Sequence, residues 1–189
     1  MTEPLKHEKK RDLLYDLAAA HGGYFSVREA AQVDLTTPYL NHYRKRGQIV
    51  PAFRGVYRLV NFPPGDHEEL VVVWLATDGE AVFSHETALQ LHGLSDLLPN
   101  RIHVSLPRTW QRRLLPDGVE RHYIPAPLAE RSWIGDVPAT TPLRTLADCA
   151  KTHVAPEFVL QAIRQALSRG LIDQGAADVL AQKYDTTKI

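Results

Sequence analysis

The sequence predicts an α+β fold in two parts: three helices closed by a β-hairpin, then a small sheet covered by helices. Three observations predict it. From about Lys6 to Arg46, apolar residues recur at helical spacing between start and stop signals. Gln48–Val60 is rich in Val, Ile, Tyr and Phe and is broken only at Arg54-Gly55. Beyond Asn61-Phe62-Pro63-Pro64-Gly65, short alternating segments are interspersed with amphipathic helical ones.

Within the first part, Leu13, Leu14, Leu17 and Ala18 give the first helix an inward face, and Gly22-Gly23 stops it. Ser26-Val27-Arg28-Glu29 is an S-x-x-E capping box, in which the hydroxyl and the carboxylate each take a backbone N–H of the other residue. It opens a short helix to about Gln32, followed by a break at Asp34-Leu35. Thr37 is the expected N-cap of a third helix, Pro38 to Arg46. The proline stands first, where its missing N–H costs nothing, and Gly47 ends the helix. Helix, short helix, turn and helix make a helix-turn-helix, and the hairpin that follows makes it a winged one.

This architecture assigns roles. Leu40, Tyr43 and Ile49 face inward, leaving Thr37, Tyr39, Asn41, His42, Arg44, Lys45 and Arg46 outward on a helix suited to the major groove. Asn41 matches adenine and Arg44 matches guanine in bidentate pairing. Ser26, Thr36 and Thr37 hydroxyls at helix starts suit phosphate oxygens. Arg54 stands at the wing tip and Arg58 along the hairpin. Arg44-Lys45-Arg46 also reads as a solvated helix end that complements the helix dipole.

Residues 61–65 read as a linker and 66–189 as the second domain. There, Glu68 and Glu69 before LVVVWLA favour a buried helix over a buried strand across His67–Thr77. Ser84 is placed to cap a helix of about His85–Leu91. Arg101–Leu106 and Val119–Ile124 read as strands and Trp133–Val137 as a weaker third. Thr141-Pro142 opens a helix to about Ala150, and Pro156–Ser168 and Gln174–Lys183 supply two more. His85, Glu86 and His92 are metal-ligating types, but their spacing is not H-E-x-x-H, so no metal is expected. Cys149 follows Leu146 on an apolar stripe and reads as packing. Arg108, Arg112 and Arg113 flank Trp110, a composition that suits a loop on a nucleic-acid backbone and equally an ordinary loop with Trp110 packed inward.

Composition bounds the function classes. The chain has 189 residues, 44% hydrophobic and 23% charged, which is globular rather than disordered. No stretch approaches the roughly 20 apolar residues of a membrane span. No apolar segment follows the charged N-terminus as in a secretory signal, so a cytoplasmic protein is expected. One cysteine, Cys149, excludes an internal disulfide and a cysteine-based zinc site. The zero net charge divides unevenly: residues 1–60 hold ten Lys/Arg against six Asp/Glu, and the remainder twelve against sixteen. The basic part can be drawn to phosphate. No Gly-rich phosphate loop implies a nucleotide cofactor, and none is expected.

From Gly23 to Leu59, with FSVREAAQVDLTTPYLNHYRKRGQIVPAFRGVYRL, the chain resembles the N-terminal winged helix of the AbiEi-type antitoxins of type IV toxin–antitoxin systems. It is similar again at FSHETALQLHGLSDLLPNRIHVSLP (Phe83–Pro107) and PATTPLRTLADCA (Pro138–Ala150), in the same order. The resemblance implies a transcriptional repressor that binds double-stranded operator repeats upstream of its own operon. It also implies a partner toxin of nucleotidyltransferase fold, countered without a stable complex, and a C-terminal domain used for further DNA contact or self-association on DNA. Longer relatives carry an endonuclease-like module after the T-P-L-R-T-L-A-D segment. The sequence as read leaves no room for one, so no enzyme activity is expected. The alternatives are a nucleic-acid-processing enzyme delivered by the winged helix, which lacks clustered carboxylates, and a protein-interaction adaptor, which has no need of a basic recognition face.

Overall fold

The helical spacing of Leu14 and Ala18 is realised in α1 (Glu3–Ala19), whose inner face both residues occupy, fully buried. The computed structural model describes residues 3–185 and divides into two units, one ending at Glu80 and the other beginning at Ala81.

In the first unit α1 ends where Gly23, at φ +96°, donates its N–H to the Ala18 carbonyl at 2.7 Å. A Cβ at Gly23 would stand 2.8 Å from the Phe62 side chain, so the close approach itself requires glycine. The chain then forms β1 (Tyr24–Ser26), which sequence periodicity did not announce, and α2 (Val27–Gln32). Asp34 turns the chain at φ +59°, and α3 (Thr37–Lys45) follows. Its N-cap is Thr36 rather than Thr37, with no side-chain cap bond, so Pro38 is the second helical residue. Strands β2 (Ile49–Phe53) and β3 (Val56–Leu59) pair antiparallel across the Arg54-Gly55 turn, with an irregularity between Pro51 and Phe53. β1 adds to β3 in the order β1-β3-β2, with Phe25 opposite Tyr57. Leu14, Ala18, Phe25, Ala30, Leu35, Leu40, Tyr43 and Ile49 form one core that fixes the three helices against this sheet.

Helix α4 (Glu68–Ala76) belongs to this first unit, not to the second domain in which the sequence reading placed it. Polar contacts to the carboxylate of Glu68 tie it there. The Tyr24 hydroxyl donates to Glu68 at 3.0 Å, Arg58 donates to the same carboxylate at 3.3 Å, and the Gly65 N–H donates to it at 3.2 Å. Residues 61–65 are likewise folded back, with Phe62 against Tyr15 at 5.8 Å between ring centroids.

The second unit is a five-stranded mixed sheet in the order β6-β5-β4-β8-β7. Its strands are β4 (Val82–Phe83), β5 (Ile102–Ser105), β6 (Val119–His122), β7 (Arg131–Ile134) and β8 (Val137–Thr140). The segment read as one weak strand at 133–137 holds the end of β7, the Gly135-Asp136 turn and the first residue of β8. Helix α5 (His85–Leu91) lies against the sheet, and Leu89 leads into a helical core with α6 (Pro142–Cys149), α7 (Pro156–Ser168) and α8 (Gln174–Asp185). Cys149 is buried in that core, and burial pushes its thiol up, as a packing residue requires.

Candidate nucleic-acid interface

The candidate surface is built from α2 outward. The Ser26 Oγ accepts the Glu29 N–H at 3.1 Å, and Glu29 accepts the Ser26 N–H at 2.9 Å and its hydroxyl at 2.8 Å. The other Glu29 oxygen lies 2.9 Å from His21 Nε2. Burial by itself raises the Glu29 carboxyl, but the hydrogen bonds from His21 and Ser26 outweigh it and hold the group below its ordinary range. These bonds fix the start of α2. They also occupy Ser26, which is 6% exposed and reaches no surface phosphate, contrary to its expected role.

On α3 each residue advances about 100° around the axis. With Leu40 and Tyr43 buried, the opposite face carries Pro38, Asn41, His42 and Lys45. Arg44 is exposed but stands four residues from Leu40, at the flank of that face. Arg46 is the exposed C-cap, and Thr36 and Thr37 are exposed at the N-terminus. Tyr39 departs from its expected outward role. Its hydroxyl donates to Tyr43 at 2.8 Å, the rings lie 4.7 Å apart, and Lys10 of α1 sits 5.3 Å above the Tyr39 ring. Burial, then the bond to Tyr43, pushes the Tyr39 hydroxyl well up, so it stays protonated.

On the wing the two arginines part company. Arg54 is exposed at the turn. Arg58 is turned into the unit, its side chain 21% exposed, donating to Glu68 and to the Phe62 carbonyl at 3.1 Å, with Tyr24 beneath it at 5.7 Å. Its expected place along a DNA-facing hairpin is thereby corrected. Lys9 and Lys10, which the sequence reading passed over, line an open groove with Leu13, Val33, Asp34 and Thr36. The run Lys9-Lys10-Arg11 was their available signal.

In the second unit the loop after β5 keeps Arg108, Arg112 and Arg113 exposed, but Trp110 is 3% exposed and cannot stack on a base. Arg113 lies 4.3 Å over the Trp110 ring, and Arg121 holds the loop by donating to the Gln111 and Arg113 carbonyls at 3.1 and 3.0 Å. The histidines separate by role. His92 contacts the Thr140 carbonyl at 2.7 Å, away from His85. Ser84 is the N-cap of α5 as expected, but its hydroxyl makes no cap bond and lies 2.9 Å from His85 Nδ1 instead. His85 stacks on His122 at 3.6 Å, and His122 Nε2 meets His103 Nδ1 at 3.0 Å with the two rings within 16° of parallel. Burial lowers all three, His85 to about 3, so they stand neutral. Glu86 lies 3.6 Å from His103 Nε2. Among the described residues no group of three His, Cys, Asp or Glu is arranged to hold a metal ion, and no helix is long and apolar enough to cross a membrane.

Two family models match the chain. Residues 12–60 match one described as transcriptional regulator, AbiEi antitoxin, and residues 80–186 match the AbiEi antitoxin C-terminal domain. The first covers most of the helix-turn-helix and its wing, and the second the mixed sheet and the helices beyond it. No curated protein matches the chain.

Proposed function

Because the chain belongs to the AbiEi antitoxin family of transcriptional regulators, we propose that it represses its own gene by seating α3 in the major groove of operator DNA. The observation that carries this reading is the composition of one helical face: Asn41, His42 and Lys45 stand opposite the buried Leu40 and Tyr43. Asn41 reads adenine through paired donor and acceptor, and Lys45 takes a guanine edge or a phosphate. Arg44, at the flank, and Arg46 meet phosphates rather than base edges. Thr36 and Thr37 offer hydroxyls and the positive end of the helix dipole. Arg54 holds the backbone from the wing.

Repression works by occupancy, with copies of the chain covering promoter repeats in the cytoplasm. The Arg108, Arg112 and Arg113 loop supplies a sequence-independent second contact through charge alone. The partner is a nucleotidyltransferase-like toxin of a type IV system, countered without a stable complex. A reporter fused to the DNA upstream of the gene tests the reading in cells. The full chain should silence it, and the Asn41→Ala, Lys45→Ala double variant should release it while accumulating to the same level. Silencing that survives the double variant would reject α3 as the reader.

A further inference from the structure

We propose that Lys9 and Lys10 of α1 form a second phosphate contact, on the DNA strand opposite the one met by Arg44 and Arg46. The inference rests on the DNA-binding reading above. It begins from the groove of about 610 Å³ that Lys9, Lys10, Leu13, Val33, Asp34 and Thr36 line. Thr36 is the N-cap of α3, so the groove that both lysines line reaches the N-terminal end of that helix. Asp34 is the groove's one acid, and two ammonium groups against one carboxylate leave it net positive. Lys10 is also placed by the fold. Its Nζ sits over the Tyr39 ring, Tyr39 is bonded to Tyr43, and Tyr43 is part of the core. Among the side chains of residues 9–184, no carboxylate lies within ion-pair distance of either lysine.

The spacing decides which strand each end meets. Helix α3 has nine residues, and at about 1.5 Å each it spans about 13 Å. The major groove is about 12 Å wide. Seated across the groove with Asn41, His42 and Lys45 on base edges, the helix brings one end near each bounding strand. Arg44 and Arg46 serve the C-terminal end, and without Lys9 and Lys10 the N-terminal end would have only hydroxyls and N–H groups. Lysines at this distance from the base edges carry no sequence information. They set register and add a salt-dependent term common to all sequences.

The test is the salt dependence of binding by the full chain to duplex DNA from upstream of its gene. The Lys9→Gln, Lys10→Gln double variant should lower the slope of log K against log salt by about 2, since each phosphate contact contributes about 0.9. The ratio of upstream to scrambled DNA should stay unchanged. Lys9→Gln alone, at an exposed position, should give half that decrement and guards against a folding artefact. Methylphosphonates then assign strands: neutralising the phosphates of one strand should weaken wild type and Arg44→Gln, Arg46→Gln by more than it weakens Lys9→Gln, Lys10→Gln, which keeps only Thr36, Thr37 and N–H groups at that end. An unchanged slope in the lysine variants, with wild type bound, overturns this contact and leaves the DNA reading standing. Equal sensitivity of both variants to the same strand overturns the strand assignment. A wild type that binds no DNA removes the DNA reading and this contact with it.

Discussion

Arg54 and Arg58 lie four residues apart on one hairpin and illustrate what a side chain's partners decide. Arg58 spends its charge on Glu68 and a carbonyl, while Arg54 is exposed. Arg54→Ala should lower the salt slope of DNA binding by about one unit on every sequence, with thermal stability unchanged. Arg58→Met should do the reverse. Hydrogen bonds to charged groups contribute about 1.5–3 kcal/mol when buried, and this half-buried pair should cost about 1 kcal/mol, read in denaturant melts, with the slope intact. A slope that falls for Arg58→Met would return that residue to the interface. The sequence placed Arg54 because Arg-Gly between two strands is a local signal. It could not place Arg58, whose partner Glu68 lies ten residues on and across a chain reversal.

At the scale of elements, local chemistry was legible and non-local pairing was not. The capping box, the Thr-Pro start of α3 and the wing each follow from neighbours in sequence, and each is found. The exact cap slipped by one residue because Thr36 and Thr37 are equivalent in type. Strand β1 has three residues and exists only because β3 pairs with it, and β4 has two. Helix α4 was recognised as a helix but assigned to the wrong unit, since Pro63-Pro64-Gly65 signals a break and not where the chain goes afterwards. The α2–α3 turn gives a sharp test. Asp34 holds φ +59° with a β-carbon, a conformation that costs an ordinary residue roughly 1–2 kcal/mol. Asp34→Gly should therefore leave stability equal or higher, and Asp34→Val should lower it by more than that, measured by urea unfolding. Equal stability of the two variants would mean that the turn relaxes and does not fix α3.

At the scale of the whole molecule, the two units answer to different variables. The DNA binding proposed for the first unit depends on salt through its basic face. The second contains a histidine cluster that answers to pH, assembled by the parallel pairing of β5 with β6, which sets Ser105 opposite His122 and His103 opposite Glu120. No sequence motif joins residues 85, 103 and 122, so only the sheet register could reveal them. All three imidazoles fold neutral, with pKa values below the ordinary 6.5, His85 lowest at about 3. The unfolded chain therefore binds more protons below about pH 6.5, and stability that is whole above that value falls as pH drops toward the folded values. Melting temperature of the full chain should decline between about pH 7 and about pH 5, and His122→Phe, which keeps a ring for His85 to stack on, should flatten the decline. A pH-independent melting temperature in wild type would show that the cluster is not desolvated. The motif T-P-L-R-T-L-A-D resolves as structure: Arg144 bonds the buried Asp148 at 2.7 Å and also Glu130, tying α6 to the turn before β7.

The central claim is that α3 reads DNA upstream of this chain's own gene. Its most direct test is an equilibrium titration of the purified full chain with that DNA against a scrambled duplex at physiological salt. The account predicts specific binding at about 10⁻⁸ M or tighter, with scrambled DNA at least ~10³ weaker. Equal affinity for both duplexes, or no binding to either, would contradict it and leave the exposed face of α3 as a docking surface for protein.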